Sequence, residues 1–228
     1  ARRRRRRRAR DPHGEVRGDS LELVFEGGKL RRLIARGSAR STYSRALPAG
    51  DEEVMRLSGR TLTVELEDGT ARQVVVEGGA ESEYFPGSSR EESGALRNLA
   101  HADRMRVLMS AGQAERVVLE GQAQGEYFYR RAVPDSAGAA ADSVEAAAGI
   151  PDSVAVAAGV PDSLAAPAGV PDSLVQSIRY QADRIDYLVE RNEILLDQHA
   201  ELFHENLHLT AGHVRFFAGD RTLLATDS

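Results

Sequence analysis

The chain contains no cysteine and no tryptophan among its 228 residues, and each absence removes a class of chemistry. Without thiols there is no disulfide framework, no thiolate nucleophile and no cysteine-bound zinc, and the redox compartment is left open. Aromatic residues are scarce, with six Phe and six Tyr beside a hydrophobic content of 41%. Any interior must therefore be built from Val, Leu, Ile and Ala, which suits thin β layers better than a thick globular centre. No apolar run reaches the roughly 18 residues that a membrane-spanning helix requires. The chain begins at Ala1 with no charged-then-apolar leader, so it is read as processed or truncated, its export signal beyond inspection.

A net charge of -5 conceals an asymmetry, because Arg2 through Arg8 form an unbroken basic run while the remainder is acidic. Such a block is expected to be a solvated, self-repelling tail, favoured over an arm for phosphate-rich partners. No aromatic residue interleaves the arginines, so a nucleic-acid partner is not favoured.

An internal repeat organises most of the rest. Four segments align: Gly18 to Tyr43, Gly59 to Tyr84, Ala102 to Tyr127 and Ala182 to His204. Each opens on Gly or Ala and then places apolar residues at alternate positions: Leu21, Leu23, Phe25; Leu62, Val64, Leu66; Met105, Val107, Met109; Ile185, Tyr187, Val189. A period of two specifies strands. Gly28, Gly69, Gly112 and Asn192 then stand at one shared offset, the residue types that best tolerate the positive φ of a tight hairpin. A second apolar run returns the chain, a small residue follows (Ala39, Ala80, Ala123, Ala200), and a third alternating strand ends at Tyr43, Tyr84 or Tyr127 in the first three copies. A fourth short strand leads into the next unit, so each unit is expected to be two hairpins. A fifth copy opens at Ala211, with Val214 and Phe216 in place of Ile185 and Tyr187, and breaks off at Ser228, which suggests that more repeats follow.

Insertions between the third and fourth strands all fall at one corner of the repeat, where extra chain can loop into water without breaking a ladder. The largest carries its own ten-residue period, in Ile150-Pro151-Asp152-Ser153, Val160-Pro161-Asp162-Ser163 and Val170-Pro171-Asp172-Ser173. Proline in every period, with Ala and Gly between, marks a loosely extended spacer. The expected organisation is an arginine-rich disordered tail over 1–17, repeats over 18–129, the decapeptide insert over 130–176, and a fourth repeat with the start of a fifth over 177–228.

Stacked hairpins with every second residue apolar are expected to produce two curved sheets facing each other, whose inner faces form a continuous apolar trough. Many inward positions are small (Ala39, Ser41, Ala80, Ser82, Ala123, Gly125), which leaves room for a long apolar ligand such as an acyl chain. The trough is expected to be lined by Leu62, Val64, Leu66, Val107, Ile185, Tyr187 and Phe216.

The run Ala182-Asp183-Arg184-Ile185-Asp186-Tyr187, then Ala200 through Ala211 (Ala-Glu-Leu-Phe-His-Glu-Asn-Leu-His-Leu-Thr-Ala) and Val214-Arg215-Phe216-Phe217, resembles the OstA-like (organic solvent tolerance) family. That family includes the LptA-like periplasmic components of lipopolysaccharide transport and the N-terminal domain of the outer-membrane assembly protein LptD. The likeness is best over Ile178 to Ala225 and weaker from Gly18 to Tyr127, and it leaves out both the tail and the insert. The family often has Gly-Asn-Val at the turn into the third strand, where this chain has Gln198-His199-Ala200. The resemblance implies an all-β, open β-jellyroll holding the lipid A acyl chains of lipopolysaccharide, periplasmic and reaching toward the outer membrane, with no catalytic group and no cofactor. It also implies partner jellyrolls joined by edge-strand addition, self-association among them. One acyl chain of about a dozen carbons would gain roughly 10 kcal/mol from such a trough.

Two other functions compete. A structural β-solenoid scaffold would have the same fold and an empty trough. A zinc metalloprotease is suggested by His204-Glu205-Asn206-Leu207-His208, which matches H-E-x-x-H. That motif works only on a helix, whereas here it falls on a hairpin of the repeat, and the extended form fails at Ala211 and Val214. Asp103 and Asp183 recur at one repeat position, which points to a structural role at a strand start. No glycine-rich phosphate loop and no nucleophile elbow is present. Purified protein is expected to give a β-type circular dichroism spectrum and no stoichiometric zinc. A helical spectrum with one bound zinc would favour the protease.

Overall fold

The computed structural model describes residues 13–47, 52–87, 95–130, 175–218 and 222–227. The Arg2 to Arg8 run and the decapeptide periods lie outside the described residues. Within them the protein is all-β, as the period-two pattern predicts: β1 (His13–Arg17), β2 (Ser20–Glu26), β3 (Lys29–Ala46), β4 (Glu52–Glu67), β5 (Thr70–Phe85), β6 (Ala95–Ser110), β7 (Gln113–Arg130), β8 (Val175–Leu188), β9 (Glu193–His204), β10 (Leu207–Phe217) and β11 (Thr222–Thr226). They form one antiparallel sheet in which neighbours in sequence are neighbours in space, with β1 and β2 both paired to β3. The first and last strands do not pair, so the sheet is an open β-jellyroll.

Each unit has two long strands where the sequence suggests four short ones. The returning strand and the third strand are continuous in β3, β5, β7 and β9, with a register shift in the middle of each. At each shift two successive residues hold positive φ: Gly37 and Ser38, Gly78 and Gly79, Gly121 and Gln122, Gln198 and His199. A left-handed pair turns the strand sharply while adding one residue that the partner lacks, which bends the ladder without ending it. Because the bulge recurs in every odd strand from β3 to β9, the bends align into a crease. The expected pair of separate sheets is therefore one sheet folded along that crease. One limb ends in the short hairpin turns and the other in the long loops.

The turn-side limb closes as the glycine spacing predicts. Gly27-Gly28, Asp68-Gly69 and Ala111-Gly112 have positive φ at both positions, the conformation that matches the twist of the flanking strands. In the fourth unit Asn192 takes this role, with φ 49°. At the crease, Ala39, Ala80, Ala102, Ala123 and Ala200 are at most 1% exposed, since the limbs converge there and only a methyl group fits. The recurring aspartates act there too. Asp19 packs on Gly37 and Asp103 on Gly121, while Asp183 accepts from His199 Nδ1 at 2.9 Å.

Two expected boundaries move. His13–Arg17, assigned to the tail, is a strand paired with β3, because Val16 comes into register with Ser41 and continues the inner face. Arg130, Val175 and Gln176, assigned to the insert, belong to the β7–β8 ladder, where Tyr129 pairs with Gln176 and Arg130 with Val175.

The crease yields a prediction of two signs. Gly79 has φ 72° and open space where a Cβ would go, so Gly79→Ala should lose about 1–2 kcal/mol from backbone strain alone. His199 holds φ 50° as a non-glycine residue, and its ion pair is too exposed to contribute much. His199→Gly is therefore expected to stabilise by up to about 1 kcal/mol. Urea denaturation of both variants measures the pair of changes.

Candidate functional site

The inner face carries two apolar rows that run straight across the sheet. Cα partners in the first are Leu21, Ala35, Leu62, Val76, Met105, Leu119, Ile185, Leu196, Val214 and Ala225. The second joins Leu23, Leu33, Val64, Val74, Val107, Val117, Tyr187, Ile194, Phe216 and Leu223. Every candidate named from the sequence is on this face. Leu62 and Ile185 lie in the first row, and Val64, Val107, Tyr187 and Phe216 in the second. Leu66 sits nearer the turn, partly buried against the same core. All but Leu66 are buried.

The loop-side limb closes over these rows with a fixed offset. Tyr43 on β3 donates from its hydroxyl to the Gly112 carbonyl in the β6–β7 turn. Tyr84 on β5 meets Tyr187 on β8 edge-on at 5.9 Å between ring centroids, and Tyr127 on β7 meets Phe216 on β10 at 5.9 Å. Each contact reaches about three strands forward, so the limbs face each other obliquely. Two stretches of inner face therefore have no opposite limb among the described residues. At the start, Leu21, Leu23 and Phe25 remain 54%, 51% and 60% exposed, and at the far end Leu207 is 53% exposed.

Between these ends the limbs pack tightly. Gly125, expected to leave space, has Tyr180 lying over it, so that a Cβ there would come within 2.4 Å of the ring. The Tyr180 hydroxyl donates to Asn98 Oδ1 at 2.6 Å. Burial of that phenol pushes its pKa well above the ordinary tyrosine range, against the opposing pull of the Asn98 hydrogen bond. Burial also raises Tyr43, with Arg45 pulling the other way.

Polar groups gather where the loop-side limb ends. Glu53 is buried and accepts from Arg45 and from the Tyr84 hydroxyl at 3.0 Å. The Tyr129 hydroxyl donates to Gln176 Oε1 at 3.0 Å and lies 2.6 Å from His204 Nε2. His204 and His208 flank the Glu205-Asn206 turn of a hairpin, and His208 pairs with Phe203 on the face opposite His204. His208 stacks on the Phe203 ring at 4.3 Å and lies 3.1 Å from Glu201 Oε2. The two histidines thus point to opposite faces, and the helical zinc geometry of the H-E-x-x-H motif is not formed. The outer face is a lattice of largely exposed ion pairs, among them Arg32–Glu65, Arg56–Glu83 and Arg104–Glu77, which contribute little stability.

The apolar returning runs supply a share of each row (Val74, Val76, Val117, Leu119, Ile194, Leu196), though they are not among the expected lining residues, and Asn192, expected as a turn residue, also points its amide inside, as does Asn98. The recurrence of Tyr43, Tyr84 and Tyr127 was a signal for the closing limb. For Asn98 there was none, since its role depends on a tyrosine 82 residues away.

No family model and no curated protein matches the chain. Among solved structures, one that matches is LptH, described as the LptA-homologous periplasmic component of the conserved lipopolysaccharide transport device from Pseudomonas aeruginosa. The identity is 13%, the alignment covers 95% of this chain and 83% of that one, and the TM-score is 0.33. A likeness this distant carries no functional argument, so the chemistry of the inner face has to supply it.

A phenol whose pKa is raised on folding stabilises the fold below the unfolded tyrosine value, near pH 10, and loses that contribution as pH rises through its folded value. Stability is therefore expected to fall above about pH 10. Tyr180→Phe should flatten that alkaline loss while costing about 1–3 kcal/mol at neutral pH, because Asn98 is left buried without its donor. Urea midpoints measured from pH 7 to 11 test both effects.

Proposed function

We propose that the chain binds the acyl chains of lipopolysaccharide, or of a closely related glycolipid, between its two limbs and hands the lipid onward in the periplasm toward the outer membrane, with no chemical step. The observation that carries this is the pair of apolar rows, which cross from β2 to β11 without a charged residue and emerge at one end as the exposed Leu21 and Leu23, with the exposed Phe25 beside them. A hydrocarbon face of that length has no directional groups to fix one position, so an acyl chain can slide along it. Sugars and phosphates would stay in water beside the limbs. The unpaired edges at β1–β2 and at β11 suit strand addition by another jellyroll or by a second copy. Leu62, Val64, Leu66, Val107, Ile185, Tyr187 and Phe216 are the residues proposed to touch lipid.

A second reading, a lipid-free β scaffold, draws on the closed middle of the sandwich, where Tyr180 fills the space beside Gly125. Photo-crosslinking separates the two. A benzoylphenylalanine at Val64 or Ile185 is expected to capture lipopolysaccharide in cells, and one at the outer-face position Arg106 is not. Capture only from the outer face, or from none of them, would favour the scaffold.

A further inference from the structure

The sandwich is fastened along its mouth, opposite the crease, by a buried chain of neutral polar groups. The Tyr187 hydroxyl donates to Asn192 Oδ1 at 3.0 Å, and Asn192 Nδ2 donates to the Tyr127 hydroxyl at 3.3 Å. Tyr187 and Asn192 belong to the β8–β9 end of the turn-side limb, whereas Tyr127 is on the loop-side limb of β7. One amide thus bridges the limbs through both its ends. Asn192 is itself held rigidly: its N–H donates to the Val189 carbonyl at 3.3 Å and its carbonyl accepts from Ala218 N–H at 2.9 Å. The Tyr84 edge contact with Tyr187 and the Tyr43 bond to Gly112 continue the same line toward the first strands. In the fourth unit the equivalent position is His204, which meets Tyr129 on its own limb, so the line ends there.

We propose that Tyr127–Asn192–Tyr187 is a latch that holds the two limbs closed, and that opening it admits apolar ligand between the rows. Its use rests on the lipid-binding function proposed above, but its existence as a closure device does not. The chemistry suits reversible opening. Neutral hydrogen bonds contribute little net stability when water can replace them, and the crease opposite gives the limbs a line to open about. An apolar seam would re-form less selectively, and an ion pair would bring a charge against the hydrocarbon face.

The absence of cysteine makes the test direct, because introduced thiols are the only ones present. Spin labels at Glu126→Cys, on the loop-side limb of β7, and Arg191→Cys, in the β8–β9 turn, report the distance across the mouth without any lipid. Asn192→Gly removes the amide but keeps the positive φ that this turn requires. It is expected to lengthen and broaden the distance distribution and to speed uptake of the apolar dye 1-N-phenylnaphthylamine about tenfold. Tyr127→Phe and Tyr187→Phe each remove one of the two hydroxyls that bond the Asn192 amide and should give smaller changes in the same direction. They also carry the test if the glycine variant does not fold. Unchanged distances and uptake in the folded variants would overturn the latch. A widened mouth in a protein that never crosslinks lipopolysaccharide at Ile185 would uphold the latch and remove the lipid.

Discussion

Two consecutive left-handed residues in the middle of every odd strand from β3 to β9 are the constraint on which this structure depends. Without them the long strands would form a broad twisted sheet with one apolar face in water, a patch far larger than folded proteins ordinarily expose. With them the same sheet folds on itself and covers most of that face. The alanines at the crease, the aspartates packed on Gly37 and Gly121, and the short turns all serve this bend. The repeat therefore encodes a bend more than it encodes separate hairpins.

The oblique closure follows from the bend together with the twist of the sheet. Because each loop-side tyrosine reaches about three strands ahead, the covered interior is shorter than the sheet, and some inner surface is left open at each end. Stability and availability are thus divided along the molecule. The middle rungs pack like an ordinary β core, with Leu62, Met105, Val107 and Ile185 at 0% exposure, and the ends keep the apolar face accessible. A ligand that enters at an end and displaces the closing limb rung by rung would exchange one apolar surface for another at small net cost.

How much was legible in the sequence follows the range of each interaction. Alternation of apolar residues placed Leu62, Val64, Ile185 and Tyr187 on one face, and the glycines at fixed offset placed the turns, because both are local properties of the chain. The crease was visible only as a small residue between two strands. The double positive φ there was hidden in the fourth unit, where Gln198 and His199 adopt it despite their side chains. The offset of the limbs, the filling of the space at Gly125 by Tyr180, and the bridging by Asn192 could not be read at all. The first and last depend on which rung meets which across the fold, set by accumulated twist, and the second on the pairing of Gly125 with Tyr180 across the decapeptide insert.

The central claim is that the inner face is an apolar conduit for lipid. Organic extraction of the protein purified from the periplasm of a lipopolysaccharide-producing host, followed by mass spectrometry, tests it most directly. Lipid A-containing glycolipid recovered in near-stoichiometric amount from the folded protein is the result expected. Folded protein that yields no lipid would contradict the claim and leave the creased sheet as a scaffold.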